Sequence, residues 1–293
     1  MEVNAGPFEV RKAPEQWFTV PEHGFTVPER TVVPTYALGN LIRGYEQEPV
    51  PDADQKAGLA AAVAEWTDLR KAGLTRWGSE KWMKDPQYYA GLDTPALAQE
   101  CFSGFSGSVF GIEMGIYNEP AAGLESLRVF HNGFAELLSR ADMWKGILRV
   151  YDRLSSQIDP KADLLQIIQT SNALDELRHL YTLSPLKQQV KGRERLFLAA
   201  HVAVLKKYRD YLDHYDPKAL GTKGSPGVFR EPCSVAQVAL LMAKQVDPQR
   251  YAKIEPAVTG VRWTREQNVE DLKRFIALVL DSLDGIPMNQ EER

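Results

Sequence analysis

A chain of 293 residues with 44% hydrophobic content has enough material to bury a large core and to enclose one cofactor-sized cavity. Its 35 basic and 39 acidic residues leave a formal net charge of -4 and are spread along the whole length. No basic stripe exists to neutralise a run of phosphates, so nucleic acid is not an expected partner.

Two cysteines, Cys101 and Cys233, cannot build a disulfide framework, and no stretch is both long and apolar enough to cross a bilayer, so no membrane partner is expected. The N-terminal MEVNAGPFEVRKAPEQ lacks the apolar centre of a secretory signal. A reducing, cytoplasmic setting is expected.

Residues 1–33 are rich in Pro and Val and repeat themselves, FTVPEHG followed by FTVPERT, which predicts an extended N-terminal arm rather than a helix. Extended arms often reach across a twofold axis, so a homodimer is the expected assembly. From Tyr36 the apolar period becomes helical, and the spacing of breakers predicts an all-α body of about ten helices, read as one domain over 34–293. The clearest segments are 54–72, 105–118, 121–139, 141–157, 160–183, 186–214, 234–245 and 264–283. There is no series of alternating strands with hairpin signals, no Gly-rich turn between a strand and a helix, and no repeat of solenoid length. Rossmann, P-loop and repeat architectures are thereby removed.

Along this framework, chemistry-bearing residues are few. Residues 101–111, CFSGFSGSVFG, lead into the 105–118 segment with three glycines, three serines and three phenylalanines. That mixture lets backbone approach a flat ligand while hydroxyls and amides stay polar; its plain alternative is a helix-capping loop. His179 follows Glu176 at the Glu-x-x-His spacing of di-iron bundles, but position 128 before His131 is Arg and position 198 before His201 is Leu, so the second half of such a site is missing. Glu176 and His179 read as an interhelix or surface polar pair. His214 closes its helix beside the negative end of the dipole, and His23 lies in the arm. Cys233 stands at a predicted helix start, without the glycine-padded loop that frames a heme thiolate, and reads as a small buried hydrophobe. Residues 219–230, ALGTKGSPGVFR, offer amides with Thr222 and Ser225, or again an ordinary loop. No Gly-x-Ser-x-Gly elbow anchors a hydrolase triad.

His201 is the histidine that stands out. Its helix reads RLFLAAHVAVLKKYRDYLDHY, and Phe197, Leu198, Val204, Leu205, Tyr208 and Leu212 share its face. An imidazole in that stripe is predicted to be buried, and each ring nitrogen then needs a partner. Iron is one such partner; a backbone carbonyl or hydroxyl in a closed core is the other.

Taken in order, these features resemble the heme-dependent aromatic oxygenases, the group containing tryptophan 2,3-dioxygenase, indoleamine 2,3-dioxygenase and the bacterial heme-dependent tyrosine hydroxylases. Three local matches, within residues 100–245, carry the likeness. SGFSGSVFGIEMGI, Ser103 to Ile116, resembles the small-residue segment and helix over the distal face of the heme. His201-Val-Ala-Val-Leu-Lys-Lys-Tyr is similar to the segment of the proximal histidine. Gly221-Thr222-Lys223-Gly224-Ser225 resembles the Gly-Thr-Gly-Gly-Ser/Thr loop that closes over substrate. Lys223 departs from that loop, and TPALAQEC before Ser103 has no arginine of the kind that holds the substrate carboxylate in tryptophan dioxygenase.

The resemblance implies heme b, iron protoporphyrin IX, held by His201 and lined by Ser103, Gly104 and Ser108. It places Phe105 and Ser106 at the reacting ring and Phe105, Thr222 and Ser225 against substrate. A neutral imidazole with four porphyrin nitrogens leaves a sixth position for dioxygen or hydrogen peroxide. The expected partner is a small aromatic amino acid, and the expected reaction is 3-hydroxylation of L-tyrosine to a catechol in antibiotic or other natural-product biosynthesis. Indole or tryptophan 2,3-dioxygenation, non-catalytic heme binding and a cofactor-free helical interaction protein stay open as alternatives.

Overall fold

A computed structural model of the chain describes residues 31–32, 35–47, 53–73, 84–102, 120–162, 164–215, 231–259, 262–263 and 268–288. The fold is all-α, as predicted. Among the described residues there are thirteen helices: α1 (Thr35–Glu46), α2 (Ala53–Lys71), α3 (Pro86–Ala90), α4 (Thr94–Cys101), α5 (Pro120–Phe130), α6 (Asn132–Ser139), α7 (Met143–Ser156), α8 (Leu164–Leu180), α9 (Ser184–Val190), α10 (Glu194–His214), α11 (Glu231–Val246), α12 (Pro248–Thr259) and α13 (Asn268–Leu283). The one sheet among them is a pair of two-residue strands, β1 (Thr31–Val32) antiparallel to β2 (Arg262–Trp263), with Thr31 opposite Trp263. The predicted helix over 105–118 lies outside the described residues.

The helices are more numerous than the ten or so expected because two long segments are broken. The 121–139 segment is interrupted at His131, whose backbone is extended and whose Nδ1 accepts the Phe134 N–H at 3.2 Å, so that His131 caps α6 instead of continuing α5. The 186–214 segment breaks between α9 and α10 at Gly192, which adopts φ +83, a left-handed conformation that ends helices and favours glycine. Four helices lie beyond the clearest predicted segments, α1, α3, α4 and α12, and the last three begin at an aspartate with a proline one or two residues after it. Asp85 accepts from the Gln87 N–H, Asp93 from the Ala96 N–H and Asp247 from the Arg250 N–H.

The described residues group into two compact units, the first holding residues 53–147 and the second residues 31–47 together with 148–288. In the first, Ala62 and Trp66 of α2 meet Ala122 and Phe130 of α5, with Leu59, Val63, Leu69 and Val129 around them. Arg70 donates to the Val129 carbonyl and to Asn132 Oδ1, tying α2 to the junction of α5 and α6. α6 packs on α3 and α4, with Phe134 edge-on to Phe102 at 5.2 Å. The start of α7 lies so close to α4 that a Cβ at Gly146 would come within 2.7 Å of the Ala98 Cβ and 2.8 Å of the Thr94 carbonyl oxygen.

The second unit is organised around α11. Every residue from Val235 to Ala243 is buried, so this helix is apolar nearly all round and must lie inside the bundle. α1, α8, α10, α12 and α13 all pack against it. Gln237, the polar exception in the run, accepts a hydrogen bond from Arg178 of α8 at 3.2 Å. α13 contributes a single stripe, Leu272, Phe275, Ile276, Val279, Leu280 and Leu283, at helical spacing. α10 is buried all round from Leu196 to Val202 and then narrows to a stripe of Val204, Leu205, Tyr208, Tyr211 and Leu212.

Candidate functional site

His201 lies in the fully buried part of α10, with no exposed surface, as the apolar stripe predicts. Its two ring nitrogens have unlike surroundings. Nδ1 is 2.6 Å from the backbone carbonyl of Phe197, one turn earlier in the same helix. A carbonyl only accepts, so Nδ1 carries the proton and donates it. Nε2 is therefore the nitrogen with the lone pair. It faces the Tyr181 hydroxyl at 3.5 Å, the outer limit of a hydrogen bond. Burial lowers the His201 pKa to about 4, with the bond to Phe197 acting in the opposite direction, so the ring is neutral at physiological pH.

Aromatic side chains from two other places in the second unit pack against this imidazole. Tyr151 of α7 stacks at a tilt with ring centroids 4.4 Å apart, and Tyr181, first residue after α8, stands edge-on at 5.6 Å. Tyr181 is also edge-on to Phe197 at 5.7 Å. Burial, with Tyr151 and Tyr45 nearby, holds the Tyr181 phenol well above its usual range. Burial, with Glu194 at the start of α10 acting in the same direction, also raises the pKa of Tyr45 of α1. The result is a dry pocket of phenols around a neutral imidazole.

Tyr151 and Tyr181 were not singled out from sequence, although a signal exists for one of them. Met143, Ile147, Val150, Tyr151 and Leu154 form the buried stripe of α7, and a phenol within such a stripe requires a polar partner. Tyr181 sits in a turn, where no periodicity marks it.

The other predicted site residues divide clearly. Ser103, Gly104, Phe105, Ser106 and Ser108 lie outside the described residues, as do Thr222, Ser225 and His23, so of the predicted set only His201 is described. His214 is exposed at the last residue of α10, with Nδ1 2.8 Å from the Asp210 carbonyl, which agrees with its expected place at the helix end. Cys233 is the third residue of α11, at a helix start as predicted. His179 lies half-buried in the last turn of α8.

Among the described residues no group of three or more His, Cys, Asp or Glu side chains is placed to hold a metal ion, so any metal there would need ligands beyond the side chains. A heme would bring four of its own, and the Nε2 lone pair is the one donor that His201 could offer it. The space beside that lone pair is held by the Tyr181 hydroxyl. A shallow cleft of about 560 Å³, lined by charged residues including Asp247, Arg250, Lys253 and Asp281, contains none of the predicted site residues. No helix among the described residues is long and apolar enough to cross a membrane. Comparison with known proteins finds no matching family model, no matching curated protein and no matching solved structure.

Proposed function

We propose that this protein is a histidine-ligated heme enzyme that oxidises an aromatic amino acid, with His201 as the axial ligand and L-tyrosine, hydroxylated at the 3-position, as the substrate. The observation that carries the reading is the asymmetry of the His201 ring: Nδ1 makes a 2.6 Å bond to the Phe197 carbonyl while Nε2, fully buried, has a contact only at 3.5 Å. This is what an axial ligand requires, because the bond at one nitrogen sets tautomer and ring orientation and leaves the other nitrogen basic. The depressed pKa keeps the ligand neutral, so no proton competes for the lone pair above about pH 4. Tyr151 and Tyr181 pack on the ring and keep water from it.

Bound there, heme b would supply an open sixth position for dioxygen or hydrogen peroxide, and with it oxygen insertion into an aromatic ring. On the resemblance alone, Ser103, Gly104 and Ser108 belong with the cofactor, Phe105 and Ser106 with the reacting ring, and Thr222 and Ser225 with the amino-acid head group. A cytoplasmic homodimer serving natural-product biosynthesis completes this reading.

A second reading has its own supporting observation. The Tyr181 hydroxyl gives Nε2 a partner within the chain, so His201 also works as a satisfied core residue of a cofactor-free helical protein. The two separate on an absorption spectrum of full-length protein purified with hemin supplied. The heme reading expects a strong Soret band that is lost or shifted in His201→Ala, followed by a product 16 mass units above tyrosine. A colourless wild-type protein sinks it, and addition of two oxygens to tryptophan or indole instead moves the substrate assignment to dioxygenation.

A further inference from the structure

We infer that the charged cleft between α12 and α13 is a ligand site of its own, suited to the zwitterionic form of a small aliphatic α-amino acid. It is independent of the heme reading, since none of the residues around His201 lines it. Its volume of about 560 Å³ is ample for such a molecule. One wall is a single face of α12, on which Arg250, Lys253, Ile254 and Ala257 follow one another at i, i+3, i+4 and i+7. Asp281 comes from the last turn of α13, and Asp247 is the residue just before α12.

Charge selects the ligand. Two cations and two carboxylates line the cleft, yet among the described residues none of the four is ion-paired, with one another or elsewhere. A phosphate ester would be repelled by Asp247 and Asp281, and a polyamine by Arg250 and Lys253. A molecule with one carboxylate and one ammonium can set each charge against its opposite. Arg250 is prepared for the carboxylate. Its Nη2 donates to the Asp284 carbonyl, and its guanidinium lies against Gly285, where φ is +75 and a Cβ would stand 3.0 Å from Nη1. Glycine is needed there on both counts. The planar group is thus held in place while its charge is left for a ligand, and a group already held loses little freedom on binding. Arg250 and Lys253 therefore take the carboxylate, Asp281 the ammonium, and Ile254 with Ala257 the aliphatic side chain.

The probe is L-leucine, titrated into the full-length protein and followed by saturation-transfer NMR. Beside it are N-acetyl-L-leucine, which lacks the ammonium, and L-leucinamide, which lacks the carboxylate. Wild type should bind leucine, and each analogue about 5- to 10-fold more weakly. Lys253→Gln should weaken leucine binding and narrow the gap between leucine and the amide. Asp281→Asn should weaken it too and narrow the gap between leucine and the acetyl compound. Both positions are exposed, so thermal melts should show both variants folded. Lys206→Gln, the same change of charge on the exposed face of α10, should match wild type. Absence of saturable leucine binding by folded wild type up to about 10 mM overturns the inference. So does equal binding of all three compounds, or wild-type affinity in both Lys253→Gln and Asp281→Asn. None of these outcomes touches the Soret band, so the heme reading stands or falls separately.

Discussion

His131 and His201 are both buried histidines with pKa values lowered to about 4, yet one nitrogen in each is used differently. His201 donates through Nδ1 to a carbonyl, whereas His131 accepts through Nδ1 from the Phe134 N–H and so serves as a helix cap. His131 is enclosed by Phe134, with ring centroids at 4.7 Å, and by Tyr89 at 6.4 Å. Burial is the main cause of its lowered pKa, while Glu100 pulls the other way. An unfolded histidine takes up a proton near pH 6.5, and this one stays neutral to about pH 4 when folded, so between those values the unfolded chain binds more protons. Stability should therefore fall as pH drops through that window, by on the order of 3 kcal/mol from this residue, and be insensitive to it above pH 6.5. His131→Asn keeps a capping acceptor and removes the titration. Thermal melts from pH 7 to pH 4 should show a shallower loss in the variant, and an unchanged slope would contradict the assignment.

At the scale of the helix, local signals and close packing make opposite demands that can be measured. Asp93 caps α4 through a 2.7 Å bond to the Ala96 N–H, and its replacement by alanine should cost about 1 kcal/mol in chemical denaturation. Gly146, inside α7, would by helix propensity be improved by alanine, by up to about 1 kcal/mol. Packing reverses the sign. The added Cβ would meet the Ala98 Cβ at 2.7 Å and the Thr94 carbonyl at 2.8 Å, and backbone of a neighbouring helix yields little. Gly146→Ala should thus destabilise by about 1 to 3 kcal/mol, and a more stable variant would show that α4 and α7 have room to separate.

For the molecule as a whole, α11 is the element on which the second unit depends. Leu240 is 1% exposed in the middle of its buried run, and Leu240→Ala should cost about 2 to 5 kcal/mol by loss of burial and a residual cavity. A loss below 1 kcal/mol in denaturant melts would mean that the surrounding helices collapse onto the gap. The run SVAQVALLMA made the central place of this helix legible in advance, because a segment apolar on all faces has nowhere to go but inside. The amphipathic stripes of α7, α10 and α13 declared their inner faces in the same way, and the burial of His201 followed from the residues three and four positions on either side of it.

Those properties are local: a 3.6-residue period, an aspartate before a proline and a glycine at positive φ act within a few residues, so the sequence by itself determined the all-helical class, most helix positions and the inward face of the helix that carries His201. What surrounds His201 was a tertiary decision. Tyr181 and Tyr151 stand 20 and 50 residues before it in the chain, and no spacing rule connects them. They meet because the turn after α8 and the stripe of α7 are brought to the same face of α10 by packing summed over the whole unit. The bond to Phe197, one turn earlier in the same helix, leaves the lone pair on Nε2, and that packing decides what stands in front of it.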